Sequence, residues 1–369
     1  MVVNSGLDDV VAAVTRLSHV DGERGELIIA GFPVGDLAEH ATFEETTWLL
    51  WHGDLPAARQ LEAFRAALAA ARALPPATVS LLRDCVDARL EPMDALRIAA
   101  GTISMTSDDA CAIVARFPTI VAAFWRLRRG AEPIVPRGDL GHAANFLHML
   151  SGEEPDPERV RALETYLNTV IDHGLNASTF TARVITSTGS DLVSSVVGAL
   201  GALKGPLHGG APGPALDMVF EIGEASHAET MLRRKIEAGE KLMGFGHRVY
   251  KVRDPRAEVL ALAAERMYTR GGDMSLYTLA RSVEATAIRL LAEYKPGRRL
   301  QTNVEFYTAL LLHGLGLEAP LFTPTFAISR VSGWIAHALE QRSANRIIRP
   351  QSQYSGPRDR KWVPLSERD

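Results

Sequence analysis

Two histidines lie in glycine-rich segments whose backbone can turn tightly and approach a ligand closely. His208 belongs to the segment 205–211, and His247 belongs to the segment 244–251. Glycine suits such segments because it has no side chain to obstruct a ligand and adopts backbone conformations that other residues avoid. A single loop histidine is most often an ordinary surface residue, so neither segment by itself indicates catalysis.

Two predicted helix starts add charged groups in positions that favour anion binding or proton transfer. Asp254-Pro255 has the pattern of a cap followed by proline, so Arg256 falls in the first turn, where free backbone N–H groups attract anions. Asn303 is a second predicted cap and places Glu305 in a first turn. The helix dipole there favours an ionised carboxylate that can accept a proton.

Each of these charges also has a simpler interpretation. Charge complementation at a helix end explains Glu305 from its position alone. Arg330 lies off the apolar stripe of its predicted helix and would ordinarily be a solvated arginine. Taken together, glycine-flanked histidines, an acid and arginines suit chemistry on a polycarboxylate that passes through an enolate, although composition and spacing do not establish it.

The elements that must position these residues are predicted to be helices. Thr42 and Glu45 form a capping box, and Asp156-Pro157 starts a helix that ends just before Asp172-His173. Further starts are predicted at the capping box Ser226 and Glu229 and at Thr325. Only residues 26–32 have the β-branched pattern of a short strand, so we predict an all-α protein. The domain prediction assigns 1–211 and 314–369 to a large domain and 212–313 to a smaller one.

Composition narrows the class of protein further. The chain has 369 residues, 46% hydrophobic and 23% charged, with a net charge of −4. Such a near-neutral chain is not expected to bind nucleic acid or an anionic membrane as its main task. Cys85 and Cys111 lack the spacing of a metal site and are predicted to be buried thiols. With no membrane span and no targeting signal seen at the N-terminus, we expect a cytoplasmic protein.

Five ordered motifs resemble those of one enzyme family. They are residues 172–180 (DHGLNASTF), 205–211 (GPLHGGA), 244–256 (GFGHRVYKVRDPR), 303–307 (NVEFY) and 329–334 (SRVSGW). From about residue 41 to residue 356 the chain resembles a citrate synthase of the short type common in bacteria and archaea. The resemblance implies an all-helical homodimer with a large domain and a small domain that closes over the substrates.

The resemblance also implies roles for individual residues. His208 matches the histidine that binds the thioester carbonyl of acetyl-CoA, Glu305 matches the acid that removes the methyl proton, and His247 matches the histidine that polarises the ketone of oxaloacetate. The other matched oxaloacetate ligands are His173, Arg256, Arg330 and Arg349. Arg349 would serve the site of the neighbouring subunit. Lys251 and Arg298 match basic positions that would bind CoA, and no metal or cofactor beyond the CoA thioester substrate is implied.

Two departures from the family pattern bear on this expectation. The family usually has aspartate at the position of Glu305, and a side chain one methylene longer could displace the carboxylate by about 1 Å. The usual Tyr-Arg-Gly near the N-terminus is replaced by Ile29-Ala30-Gly31. Two alternatives stay open: a 2-methylcitrate synthase that uses propionyl-CoA, and a non-catalytic binding or regulatory paralogue.

Overall fold

α-Helices account for most of the chain, which confirms the all-α prediction. The computed structural model describes residues 5–7, 10–105, 109–209 and 212–368. Residues 210 and 211, at the predicted domain limit and the end of one glycine-rich segment, therefore lie outside the described residues, as does much of the N-terminal decapeptide. The domain limits stay a prediction.

Sixteen α-helices lie within the described ranges. The first eight are α1 (Val34–His40), α2 (Phe43–His52), α3 (Ala58–Ala71), α4 (Pro76–Asp87), α5 (Pro92–Ala100), α6 (Ala110–Arg128), α7 (His142–Ser151) and α8 (Pro157–Val170). The others are α9 (Ala177–Ser187), α10 (Leu192–Leu203), α11 (Pro212–Ile222), α12 (Ala228–Glu237), α13 (Pro255–Gly271), α14 (Ser275–Tyr294), α15 (Val304–Gly314) and α16 (Phe322–Ser343). Short 3-10 turns cover Ser5–Leu7, Gly101–Met105, Ala225–His227, Ala319–Leu321 and Leu365–Glu367.

A small antiparallel sheet precedes the helices. It contains β1 (Ser18–Asp21), β2 (Glu26–Ile29) and β3 (Phe32–Pro33), in that order. The strand predicted at 26–32 is thus two strands joined by a turn, and β1 was not predicted. β1 and β2 form a hairpin whose register pairs Ser18 with Ile29 and Asp21 with Glu26. Asp21 stabilises the turn because its carboxylate accepts hydrogen bonds from the backbone N–H groups of residues 23 and 24.

Most of the predicted helix caps are confirmed. The side chains of Asp156, Asp254 and Asn303 accept backbone N–H groups at the starts of α8, α13 and α15, and Thr42 forms its capping box with Glu45. A capping side chain satisfies N–H groups that have no partner inside the helix. These caps place Arg256 and Glu305 in first turns, as predicted.

Two predicted caps are wrong. Ser226 lies inside a 3-10 turn, and its hydroxyl donates to the side chain of Glu224 rather than capping a helix. Thr325 lies in the first turn of α16, which begins at Phe322, and its hydroxyl donates to the carbonyl of Leu321. A serine or threonine inside a helix can bond to the preceding turn in this way, so its type alone does not locate the helix start.

α16 runs through the centre of the protein and packs against α2, α6, α8 and α9. Nearly all residues of its first four turns are buried, including polar ones, so it has no solvent face there. α13 packs against α8 and α15. These contacts bring the end of α8, the starts of α13 and α15, and the middle of α16 to one region, where the predicted site residues lie.

α6 is the one helix in the described ranges that is long and apolar enough to cross a membrane by length and composition, yet 72% of that stretch is buried within the protein. It contains Cys111, which is only partly buried, whereas Cys85 is buried as predicted. The prediction of burial is therefore only partly right for Cys111. Desolvation still raises the pKa of its thiol to about 11, so the thiol stays protonated at neutral pH.

Candidate active site

The segments that carry His247 and Glu305 are joined through their backbones. Gly246 N–H donates to the carbonyl of Gln301 at 2.7 Å, and Asn303 N–H donates to the carbonyl of Gly244 at 3.0 Å. The side-chain amide of Asn303 also donates to the Gly246 carbonyl at 2.8 Å. Gly244 has a φ of 87°, and a Cβ there would lie 2.9 Å from Cβ of Phe306, so this approach requires glycine.

Asp254 connects the starts of α13 and α15. Its carboxylate accepts hydrogen bonds from the backbone N–H of Arg256 at 3.0 Å and of Val304 at 3.2 Å. The same carboxylate pairs with the Arg256 guanidinium through Nε at 3.0 Å and Nη2 at 2.8 Å. Asp254 and Arg256 are both buried, so this pair fixes the direction of the guanidinium.

His247 is held as a neutral hydrogen-bond donor. Its Nδ1 accepts backbone N–H groups from Val249 at 3.0 Å and Tyr250 at 3.1 Å. The two backbone donors assign the proton of the neutral ring to Nε2. Nη2 of Arg256, which can also only donate, lies 3.3 Å from Nε2, so two donors that need an acceptor lie side by side. Burial, assisted by the Arg256 charge, lowers the pKa of His247 to about 4. A neutral N–H and a guanidinium thus face the same space, which suits a developing oxyanion or a carboxylate.

His173 follows α8 as predicted and lies close to His247. The centroids of the two rings are 5.8 Å apart. Nε2 of His173 is 3.1 Å from the hydroxyl of Tyr250, a buried side chain of the His247 segment. Burial and the nearby charges of Arg256 and Arg330 hold the pKa of His173 well below its ordinary value, so this ring is also neutral.

Arg330 is not the solvated arginine that its position off the apolar stripe indicated. Its side chain is almost fully buried in the middle of α16. Nε donates to the carbonyl of Val170 at 2.7 Å, and the guanidinium lies 4.5 Å from the ring centroid of Phe326. Burial lowers the pKa of Arg330 to about 10, so the guanidinium keeps its charge at neutral pH. A buried cation that interacts with Asp172 and Glu305 is well placed to bind an anionic ligand.

Glu305 occupies the predicted first turn, but its ionisation differs from the expectation. Its backbone N–H donates to the Asn303 cap at 3.0 Å. Desolvation raises the pKa of its carboxyl to about 7, although Arg256 and Arg330 lower it and Asp254 raises it further. Burial outweighs the helix dipole, so the carboxyl is partly protonated at neutral pH rather than fully ionised. A carboxylate with such a pKa is a stronger base than an exposed one.

His208 is bound to a serine that sequence reasoning did not single out. Nε2 of His208 lies 2.8 Å from Oγ of Ser178. Ser178 also accepts a hydrogen bond from the indole N–H of Trp334 at 3.1 Å and donates to Oδ1 of Asn176 at 2.8 Å. Burial and the Arg330 charge lower the pKa of His208 to about 4, so this histidine is neutral too.

Three predicted ligands lie outside this buried group. Arg349 is exposed in the extended segment after α16, and the contacts found among the described residues do not join it to the other site residues. Lys251 and Arg298 are exposed as well. The ammonium group of Lys251 donates to the carbonyl of Arg248 at 3.3 Å. Across the ranges that the structure describes, no group of three or more His, Cys, Asp or Glu side chains could hold a metal ion.

Sequence reasoning also missed residues that support the site. Tyr250 lies in a motif that was recognised, three residues after His247, but tyrosine was not considered there. His337 follows Arg330 by seven residues, which is two helical turns and hence the same face of α16. Its Nε2 lies 3.2 Å from Oδ1 of Asp172, the residue before His173. The spacing from Arg330 was the signal that could have identified His337.

Comparison with known proteins finds a matching family model and relatives that align with nearly the full chain. The family model described as "Citrate synthase, C-terminal domain" matches residues 6–351. Citrate synthase 2 of Bacillus subtilis is 42% identical to this chain over 380 residues, with 100% of both chains covered. The 2-methylcitrate synthase of Mycobacterium tuberculosis is 40% identical over 371 residues, with 97% of this chain and 92% of that protein covered.

The fold of a solved structure matches the fold of this chain over nearly its whole length. The structure is the ternary complex of carboxymethyl coenzyme A and oxaloacetate with the citrate synthase of Thermoplasma acidophilum. It aligns with a TM-score of 0.89 and 30% sequence identity, and the alignment covers 99% of each chain. The family model and the full-length relatives lead to one conclusion: the chain belongs to the citrate synthase family and is an enzyme of the transferase class.

Proposed function

We propose that this enzyme condenses acetyl-CoA with oxaloacetate and water to give citrate and CoA. The observation that carries the proposal is the convergence of neutral histidines and Glu305 on the buried guanidinium groups of Arg256 and Arg330. The relative from Thermoplasma acidophilum, whose structure holds a CoA analogue and oxaloacetate, supports the same pair of substrates.

The first step makes the enolate of acetyl-CoA. Ionised Glu305 removes a proton from the methyl group, while His208 donates a hydrogen bond to the thioester carbonyl. His208 donates through Nδ1 once the Ser178 hydroxyl rotates its proton from Oδ1 of Asn176 to Nε2 of His208, a bond for which the observed 2.8 Å separation is suitable. A neutral donor stabilises the developing oxyanion more than it stabilises the ground-state carbonyl, which is what acceleration requires.

The second step forms the carbon–carbon bond. The enolate carbon attacks the ketone of oxaloacetate, and the N–H at Nε2 of His247 stabilises the oxyanion that forms. This oxygen becomes the hydroxyl of the product by gaining one proton, which balances the proton that Glu305 took from the methyl group. His173, Arg256 and Arg330 hold the oxaloacetate carboxylates, since guanidinium groups form paired, charge-assisted hydrogen bonds with carboxylates. Water then hydrolyses the thioester and releases CoA. The exposed side chains of Lys251 and Arg298 would bind the CoA phosphates.

A 2-methylcitrate synthase is the second candidate. Relatives of both names match this chain at similar identity, 42% and 40%. The two reactions differ by one methyl group on the acyl chain, and a pocket discriminates such a difference by only about 1–3 kcal/mol. Both acyl-CoA substrates are therefore expected to react at measurable rates.

Steady-state release of the CoA thiol tests the proposal and ranks the two candidates. The purified enzyme is assayed with acetyl-CoA and with propionyl-CoA, each with and without oxaloacetate. A higher kcat/KM for acetyl-CoA that depends on oxaloacetate supports citrate synthesis. A higher kcat/KM for propionyl-CoA contradicts the acetyl preference and favours 2-methylcitrate synthesis. Absence of thiol release with both substrates contradicts both and favours a non-catalytic paralogue.

We also propose that the enzyme is a homodimer in which Arg349 completes the site of the neighbouring subunit. The exposure of Arg349 after α16 supports this role, because a side chain that reaches a partner must lie at the surface of its own chain. Arg349→Ala and His208→Ala proteins should each be nearly inactive, with Arg346→Ala as an active control in the same segment. Mixed heterodimers of the two inactive variants should regain activity at one of two sites. Verified heterodimers without activity would place the action of Arg349 in its own chain.

A further inference from the structure

The hairpin formed by β1 and β2 contacts the backbone on both sides of His173. Oγ of Ser18 donates to Oδ2 of Asp172 at 2.5 Å. Oγ of Ser18 also accepts a hydrogen bond from the backbone N–H of Gly174 at 2.8 Å. A single hydroxyl on β1 therefore bonds to the residue before His173 and to the residue after it.

Asp172 is held from its other side by a buried chain of hydrogen bonds. Arg183 Nη1 lies 3.0 Å from Nδ1 of His337, and since the guanidinium can only donate, this nitrogen accepts. Nε2 of His337 therefore carries a proton and donates to Asp172 Oδ2 at 3.4 Å, and it lies 3.2 Å from Oδ1. Asp172 and His337 are fully buried, and among the described residues the Ser18 hydroxyl supplies a hydrogen bond that links this carboxylate to the hairpin.

The turn of the same hairpin contacts the segment that follows His247. The carbonyl of Gly22 accepts the backbone N–H of Lys251 at 2.9 Å. A Cβ at Gly22 would lie only 2.2 Å from the carbonyl oxygen of Val249, so any other residue would displace this backbone. The N–H groups of Val249 and Tyr250 orient the His247 ring through Nδ1, and the hairpin turn therefore packs on the peptide units that set its direction.

We propose that the hairpin 18–29 positions His173 and His247 relative to each other, with Ser18 as the positioning residue for the first and Gly22 for the second. The inference rests on the proposed function only in that both histidines bind oxaloacetate. The hairpin is a rigid connection of four residues between the two contacts, because β1 is paired with β2 from Ser18 to Asp21. Loss of either contact should therefore weaken oxaloacetate binding before it affects binding of the acyl-CoA.

Substitutions at Ser18 test the first contact. Ser18→Ala should raise the KM for oxaloacetate by about tenfold, the effect of losing a hydrogen bond to a buried charged group, and leave the KM for acyl-CoA within about twofold. Ser18→Thr keeps the hydroxyl on a strand that tolerates β-branched residues and should restore the KM. His19→Ala, at an exposed position of the same strand, is the matched control and should behave as the parent enzyme.

Substitution of Gly22 tests the second contact. Gly22→Ala should lower kcat and raise the KM for oxaloacetate, because the added Cβ displaces the backbone that orients His247. Gly138→Ala is the control: neither Gly22 nor Gly138 has a positive φ, and a Cβ at Gly138 meets no atom within 4 Å. It makes the same glycine-to-alanine change without the contact, and unfolding curves for all variants establish that they are folded.

The outcomes separate this inference from the proposed function. An active parent enzyme whose Ser18→Ala and Gly22→Ala variants keep oxaloacetate KM and kcat within twofold overturns the positioning role. Equal losses for oxaloacetate and acyl-CoA in Ser18→Ala, without rescue by Ser18→Thr, also overturn it, because they indicate general damage. A parent enzyme that releases no CoA contradicts the proposed function instead. In that case direct calorimetric titration of oxaloacetate into parent, Ser18→Ala and Gly22→Ala proteins still tests the hairpin.

Discussion

Glu305 shows how burial can reverse an expectation drawn from sequence position. The Asn303 cap and the placement of Glu305 in a first turn are confirmed. The helix dipole favours the ionised form, but desolvation has the larger effect and raises the pKa to about 7. His208 and His247, with pKa values lowered to about 4, stay neutral around that pH. Glu305 is therefore the group whose protonation should control the reaction near neutrality.

The pH dependence of Glu305 variants tests this assignment. The parent kcat/KM for acyl-CoA should fall as the pH decreases through about 7, because protonation removes the base. Glu305→Gln should lower turnover by at least about a hundredfold, abolish this pH dependence and leave oxaloacetate affinity within a few-fold. Full activity of Glu305→Gln would mean that another group removes the proton.

Glu305→Asp is the matched variant, since it keeps the charge and restores the usual residue of the family. If the loop is shaped around the longer side chain, this variant should be slower than the parent, because the shorter side chain withdraws the carboxylate by about 1 Å. Stopped-flow or steady-state assays at saturating oxaloacetate measure the effect. A variant faster than the parent would show that the loop is not adapted to glutamate.

Among the helix starts, aspartate caps followed by proline were predictable from the sequence, whereas caps formed by an isolated serine or threonine were not. Asp156-Pro157 and Asp254-Pro255 start helices as predicted, because a carboxylate cap and proline at the first helical position act locally. Ser226 and Thr325 do not cap helices, because their hydroxyls bond to nearby groups in turns that the sequence pattern does not reveal. Strand β1 escaped prediction because four residues, none of them buried, give little periodic signal.

Asp254 allows a test of how far one side chain stabilises two helix starts. Asp254→Asn keeps the shape but leaves Arg256 buried without its anionic partner, which should cost about 3–5 kcal/mol of unfolding free energy. It should also weaken oxaloacetate binding, because the guanidinium loses its orientation. Asp156→Asn, at an exposed cap, should cost less than about 1 kcal/mol. Urea denaturation of both variants provides the comparison, and equal effects would contradict the special role of Asp254.

At the scale of the whole molecule, the helical class followed from the sequence, whereas the assembly of the site did not. Helical periodicity and caps are local signals, but the approach of α8, α13, α15 and α16 depends on packing between distant segments. Arg330 illustrates the limit. The first four turns of α16 are buried on nearly all sides, so a position off the apolar stripe does not indicate exposure to water. The motifs shared with the family were what connected Arg330 to the site.

Carbon–carbon bond formation distinguishes condensation from thioester hydrolysis, and nuclear magnetic resonance can follow it directly. The enzyme is incubated with oxaloacetate and acetyl-CoA that carries carbon-13 in its methyl group, and the labelled product is identified. We expect the label to appear in a methylene carbon of citrate, and Glu305→Gln to form this product at least about a hundredfold more slowly. Label that appears as free acetate would show simple thioester hydrolysis and would contradict the proposed condensation, as would unchanged acetyl-CoA with the parent enzyme.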